Sequence, residues 1–292
     1  LNAFVATRIS YGLNPIHSGC EVMSIVHHIA SGQAKLAVEV VGSGAPVVLL
    51  HAGVCDRRMY RAQRDGLSAH NKIIAYDRRG FGETQAEQED YSSVQDLKTV
   101  MDAVADGLPA LLVGCSQGGG VALDMALRYP SYVSALILVA PNVRGAPNPR
   151  YAVAIEALVA QRESAQKAGD TERVNALQAR ILLDGPLQPE GRVAGAVRNL
   201  FFDMNGIALR RAPIGANLDD EDVFRRAGEI EMPALVLWGE YDFPHIQERS
   251  RHMAAAMPNA TGHMLPGAAH LPSLEQPEET TRLFAQFIEG LR

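Results

Sequence analysis

Cysteine is scarce in this chain: its 292 residues include three, Cys20, Cys55 and Cys115. Three thiols complete no paired framework, and no C-x-x-C spacing marks a zinc site or a redox couple. A disulfide-stapled scaffold is excluded on that count, and a reducing, cytoplasmic setting is expected. Positive charge is also in deficit, with 27 Lys and Arg against 33 Asp and Glu and a formal net charge of -6. Nucleic-acid binding needs a basic patch or stripe, so no such partner is expected. Long hydrophobic runs are missing too, none approaching the ~18 residues of a membrane span. The stretch 1–22 lacks both a basic n-region and a continuous apolar core, so it does not read as a signal peptide, and "HSGC" is a poor match to a lipoprotein cleavage box. Met23 reads as the natural start, with residues 1–22 as a non-native or disordered tail.

With 47% hydrophobic residues, the chain has enough apolar content for one sizeable core. "SIVHHIA" and "AKLAVEV" alternate as a half-buried hairpin does, whereas "PVVLLH", "KIIAYD", "ALLVG", "VSALILVAP" and "ALVLWG" are continuous apolar runs. Such runs suit strands covered on both faces. "SSVQDLKTVMDAVADG" and "GGGVALDMALRYP" carry helical spacing between them. Strand and helix alternate, which predicts an α/β fold with a mostly parallel central sheet and helices on both faces. Roughly ninety residues between Pro141 and Met232 contain no strand-like run, too many for an ordinary connection. Residues 142–231 are therefore expected to form a helical cap inserted into a core of residues 23–141 and 232–292.

Gly114-Cys115-Ser116-Gln117-Gly118 fits G-x-S-x-G between a predicted strand and a predicted helix. A serine on so tight a bend needs neighbours without side chains, and its hydroxyl is turned outward at the strand's carboxyl end. The following helix offers its positive N-terminus to a developing oxyanion. A plain glycine-rich turn is the alternative reading. A phosphate-cradling loop is not, because no Gly-Lys-Ser/Thr follows.

A serine hydroxyl is a weak nucleophile without a base, and a histidine base needs a carboxylate to hold its tautomer. Asp242, just past "ALVLWG", and His270, in "LPGAAHLPSLEQPEE", follow Ser116 in the order Ser, acid, His. Asp203, Asp219, Asp220 and Asp222 read as solvated surface; His252 reads as a helix residue, His263 as a strand residue and His51 as a structural loop residue. An oxyanion hole would take the amide of Gln117 and one from "HAGV", Gly53 or alternatively Val54. Arg57, Arg58, Arg61 and Arg64 recur at helical spacing, as a solvated basic face or as holders of a substrate carboxylate, and the first reading is preferred. Cys115 reads as a small buried apolar residue.

Taken together, "LLHAGV", "YDRRGFGET", "GCSQGG", "LWGEYD" and "GAAHLPSLEQPEE" resemble the α/β-hydrolase superfamily, in its branch of cap-bearing esterases, enol-lactonases and C-C bond hydrolases. The resemblance covers about residues 24–292 and fits the cap by position and length only. It implies Ser116, Asp242 and His270 as nucleophile, acid and base, and Asp77, Arg79, Gly80 and Gly82 as a structural turn. His-Ala-Gly stands where many relatives have His-Gly, and "GAAH" where "GAGH" is commoner. The expected function is hydrolysis of small esters or lactones, without metal or organic cofactor, in a pocket that includes Cys55, His245 and Phe201. "NLFFDM" and "AIEALVAQ" are expected to supply apolar lining that favours short or medium acyl chains over strongly charged substrates. Enol-lactonase, C-C bond hydrolase and cofactor-free perhydrolase share the same constellation, and a hydrolase-like small-ligand receptor is the non-enzymatic alternative.

Overall fold

Every strand-like run of the sequence lies in one sheet of a computed structural model that describes residues 25–292. The readings made for residues 1–22, for Met23 and for Cys20 lie outside the described residues. The strands are β1 (Ile25–Ser31), β2 (Ala34–Val41), β3 (Ala45–Leu50), β4 (Asn71–Tyr76), β5 (Gln85–Ala86), β6 (Ala110–Cys115), β7 (Val133–Val139), β8 (Ala234–Gly239) and β9 (Ala260–Leu265). Their order is β1-β2-β4-β3-β6-β7-β8-β9, with β5 beside β2. The pairings of β2 with β1, β4 and β5 are antiparallel, and the pairings from β4 through β9 are parallel.

Side chains alternate across each strand, so a strand covered on both faces must be apolar throughout. β6 and β8 are buried at every position. Val48, Leu50 and Leu112 join one apolar cluster with α2 (Ser93–Val104) and α3 (Gln117–Arg128). Val47, Leu49 and Val113 join the other, with α1 (Arg61–Leu67) and α10 (Pro277–Gly290). Ser92 caps α2, its hydroxyl accepting from Gln95 N at 3.0 Å.

β7 and β8 are direct neighbours, with Leu136 opposite Ala234. The chain between them leaves the sheet through α4 (Val153–Lys167), α5 (Thr171–Gln178), a π-helical turn (Ala179–Leu183), α6 (Gly195–Leu209) and α7 (Val223–Arg226). After β8 come α8 (Pro244–Ala256), β9, α9 (Pro272–Glu275) and α10. Among the described residues no helix is long and apolar enough to cross a membrane.

The turn after β4 is organised by Asp77, which is fully buried and accepts hydrogen bonds from the amides of Arg57 and Glu83, each at 2.8 Å. The Arg57 guanidinium closes on the same carboxylate. This corrects the expectation of a solvated basic face. Arg58 forks onto Asp56 and reaches Asp203, both at 2.7 Å, and Arg64 pairs with Glu39 at 2.6 Å, leaving Arg61 as the exposed member of the four. Arg79 is likewise internal, donating to Asp96 and to Ser31 O at 2.7 Å. Asp219, expected on the surface, is buried and accepts from Val94 N at 3.1 Å and from Arg128 at 3.1 Å.

Removing one partner of a buried ion pair strands the other charge. Asp77→Ala is predicted to lower the unfolding free energy by about 3–5 kcal/mol in urea titrations. A loss well below about 1 kcal/mol would show that Asp77 does not hold the turn after β4.

Candidate active site

Ser116 sits between β6 and α3 with φ at +51° and ψ at -114°, a backbone region that side-chain-bearing residues seldom enter. Neighbouring elements hold it there. Ser116 N donates to Val139 O at 2.9 Å, and Ser116 O accepts from Asn142 N at 2.9 Å and from Gly120 N at 3.0 Å. A side chain at Gly118 would bring its Cβ within 2.1 Å of Leu50 O, so only glycine lets α3 begin against the carboxyl end of β3. Gln117 opens α3, where backbone N–H groups have no intrahelical acceptor.

Gly53, in the loop after β3, is packed so closely on the Gln117 side chain that a Cβ there would lie 2.4 Å from it. That loop is braced by His51, which is fully buried. Its Nε2 accepts from Arg78 N at 3.0 Å, which leaves Nδ1 to donate to Ala52 O at 2.7 Å. Burial first, and then the Arg78 charge, drive the His51 pKa well below its ordinary value, so the ring is neutral. Arg78 in turn donates to His51 O at 3.0 Å and reaches Gln117 Oε1.

Asp242 follows β8 and His270 follows β9, and the two side chains meet. His270 Nδ1 lies 2.8 Å from Asp242 Oδ2, while Asp242 Oδ1 accepts from Phe243 N at 2.7 Å. A carboxylate oxygen accepts, so this contact selects the tautomer in which the neutral imidazole carries its proton on Nδ1 and leaves the lone pair on Nε2. Burial pulls the His270 pKa down, but the charge and hydrogen bond of Asp242, aided by Glu275, outweigh it and hold the imidazole above its ordinary 6.5.

The histidine loop is fastened from two sides. Glu275 Oε2 accepts from Ala269 N at 2.8 Å and Oε1 from Leu271 N at 3.1 Å. Arg192, before α6, pairs with Glu275 and donates to Leu183 O at 2.8 Å and to Gly267 O at 2.9 Å. His270 N itself donates to Leu182 O at 3.2 Å. Sequence reasoning missed both fasteners. Glu275 stood inside the quoted histidine motif without a role, and Arg192 carried no signal.

Ser116 and His270 line one cavity of about 180 Å³. Its remaining wall comes from Asn142 and Tyr151, from Val159 and Arg162 on α4, from Gln178, Ile181 and Leu182, and from Phe243, His245 and Ile246 at the start of α8. Its size and concavity suit a small molecule. A sequence profile of the alpha/beta hydrolase family matches residues 47–283.

The chain belongs to the alpha/beta hydrolase family.

Within that family it is 29% identical over 260 residues to the 2-hydroxy-6-oxo-6-phenylhexa-2,4-dienoate hydrolase of Burkholderia cepacia, covering 85% of this chain and 88% of the relative. It is also 29% identical over 261 residues to the pimeloyl-[acyl-carrier protein] methyl ester esterase of Chromobacterium violaceum, covering 87% and 98%. Among solved structures, a thermophilic esterase from Thermogutta terrifontis with malate bound superposes with a TM-score of 0.73 at 26% identity, covering 92% of this chain and 99% of that one.

Two expected pocket residues of this hydrolase are elsewhere. Cys55 and Phe201 are fully buried in the apolar cluster that also holds Ala179 and Leu271, and neither lines the cavity. Apolar composition marked them for burial but not for which side of the wall. His245 does line the cavity; burial, then Arg249, lower its pKa to about 4. Cys115 is buried, with its Sγ 3.7 Å from His270 O. Among the described residues no group of three or more His, Cys, Asp or Glu is arranged to hold a metal ion.

Because the folded pKa of His270 is raised, its protonation adds stability below pH 6.5 that is lost as pH rises through the higher folded value. In Asp242→Asn the main opposing charge is gone and burial dominates. Imidazole NMR titration is therefore predicted to place His270 above 6.5 in wild type and below it in the variant. Equal midpoints would remove Asp242 as the cause.

Proposed function

We propose that this alpha/beta hydrolase cleaves small carboxylic esters through an acyl-enzyme on Ser116. The observation that carries the reading is the shared cavity: Ser116 and His270 line it together, and His270 Nδ1 is held on Asp242 at 2.8 Å, which leaves Nε2 as the nitrogen free to take a proton once the imidazole is neutral. In this reading Nε2 takes the Ser116 proton as Oγ attacks the ester carbonyl, and Asp242 stabilises the imidazolium that results. The amides of Gln117 and of Gly53, or alternatively Val54, receive the oxyanion; loss of one such donor typically costs about 10²- to 10³-fold in turnover. His270 then protonates the departing alkoxide and activates the water that releases the acid.

The 142–231 segment acts as the cap, a role supported by Val159, Arg162, Gln178, Ile181 and Leu182, which it contributes to the cavity wall. The relatives named as esterases support ester hydrolysis in particular. The relative named for a dienoate substrate favours a second reading, in which the same serine and histidine cleave a C-C bond of a diketone-like compound.

Ser116→Ala is predicted to abolish p-nitrophenyl butyrate turnover, by up to about a millionfold as in other triad knockouts. Wild type should acquire one fluorophosphonate by intact mass, and the variant none. Wild-type kcat/KM should rise with pH through a midpoint above 6.5, since the neutral imidazole is the base. An unlabelled wild type would overturn the nucleophile, and labelling without ester turnover would bring the C-C reading forward.

A further inference from the structure

The inner stripe of α4 is broken by a charge. Ile155 is buried, Val159 follows four residues later and Arg162 seven residues later, the spacing of one helix face. Glu156, Ala157, Ala160, Gln161, Glu163 and Ser164, off that stripe, are exposed. Periodicity calls for an apolar residue at 162, and an arginine stands there instead, in the cavity wall.

Its charge is poorly answered. Arg162 Nε is shielded from solvent and has no hydrogen-bond partner, while the side chain as a whole is 35% exposed. Among the described residues its one ion pair is a 3.7 Å approach to Glu163, whose side chain is 53% exposed. Adjacent residues do not share a helix face, so Glu163 does not answer that charge from within the cavity. No aspartate or glutamate lines the cavity among the described residues. His245 Nδ1, on the α8 side of the same cavity, is also buried without a partner. Two nitrogens of one small cavity thus have no partner within the protein, which leaves them to water or to a molecule that enters the cavity.

We propose that Arg162 receives a carboxylate carried by the substrate, so that the cavity takes half-esters of dicarboxylic acids in preference to neutral esters. This rests on the esterase reading and names its substrate class. A guanidinium fork matches a carboxylate in shape and charge, and one cation balances a monoanion but not a phosphate dianion. Holding the far carboxylate would bring the ester carbonyl to Ser116 in one orientation, and binding remote from the reacting bond can then be used in the chemical step. The proposal departs from the sequence expectation of short or medium acyl chains over strongly charged substrates by giving the pocket one cationic end.

The test compares kcat/KM for monoethyl adipate and diethyl adipate. In wild type the half-ester should be preferred, and in Arg162→Met that preference should fall about 10- to 100-fold, the range of a charge-assisted hydrogen bond. Arg162→Lys should restore part of it, since it keeps the charge without the fork. Arg162→Gln replaces the Met variant if the latter does not fold, with the same fall expected. A wild type that prefers the diester, or a preference that Arg162→Met leaves unmoved, overturns the proposal. If wild type turns over neither adipate ester nor p-nitrophenyl butyrate, the esterase reading fails on its own. Calorimetric binding of monoethyl adipate then decides the anion site: about 10- to 100-fold weaker binding by Arg162→Met supports it, and equal binding overturns it.

Discussion

The start of α3 has no room for a side chain. With 2.1 Å between a would-be Cβ at Gly118 and Leu50 O, the helix can begin only by pressing backbone on backbone against the end of β3. That contact forces the chain from β6 to reverse within a single residue, and Ser116 absorbs the reversal at φ +51°. The strain is held by hydrogen bonds to Val139 and Asn142, so the ends of β3, β6 and β7 are tied at one point. The loops after β8 and β9 reach the same cavity with Phe243 and His270, Asp242 standing behind His270 on its Nδ1, and the carboxyl ends of the strands are where open parallel sheets place their crevices.

The central strands were legible because burial on both faces writes itself as an unbroken apolar run, as in "ALLVG" and "ALVLWG". The segment without strands was legible for the converse reason. β5, two residues long, and the π-helical turn at Ala179–Leu183 have no comparable pattern. At the site, the pairing of Asp242 with His270 was expected from chemistry and order, because a histidine acting as a base would need a carboxylate to hold its tautomer, and the two side chains do meet.

What stayed hidden depends on partners distant in sequence. Arg57 finds Asp77 twenty residues away, and Arg58 finds Asp203 across 145, so helical spacing alone read them as surface. Asp219 was misread likewise, its partners being Ser92, Val94 and Arg128. Cys55 and Phe201 show the opposite limit: hydrophobicity says that a residue is inside, not which neighbours it meets. Arg162 was concealed by its neighbours Gln161, Glu163 and Ser164, among which it reads as one more residue of a polar helix face.

The fastening of the histidine loop has a consequence for how the molecule can be rebuilt. Arg192 and Leu182 belong to the same excursion that walls the cavity, yet their bonds end on Glu275, Gly267 and His270. The excursion is therefore not an interchangeable module. A chimera that exchanges all of it for another family member's would change the cavity and unfasten the imidazole in one step, whereas a graft confined to α4 and α5 leaves the Leu182-to-Arg192 stretch, and with it the histidine, in place.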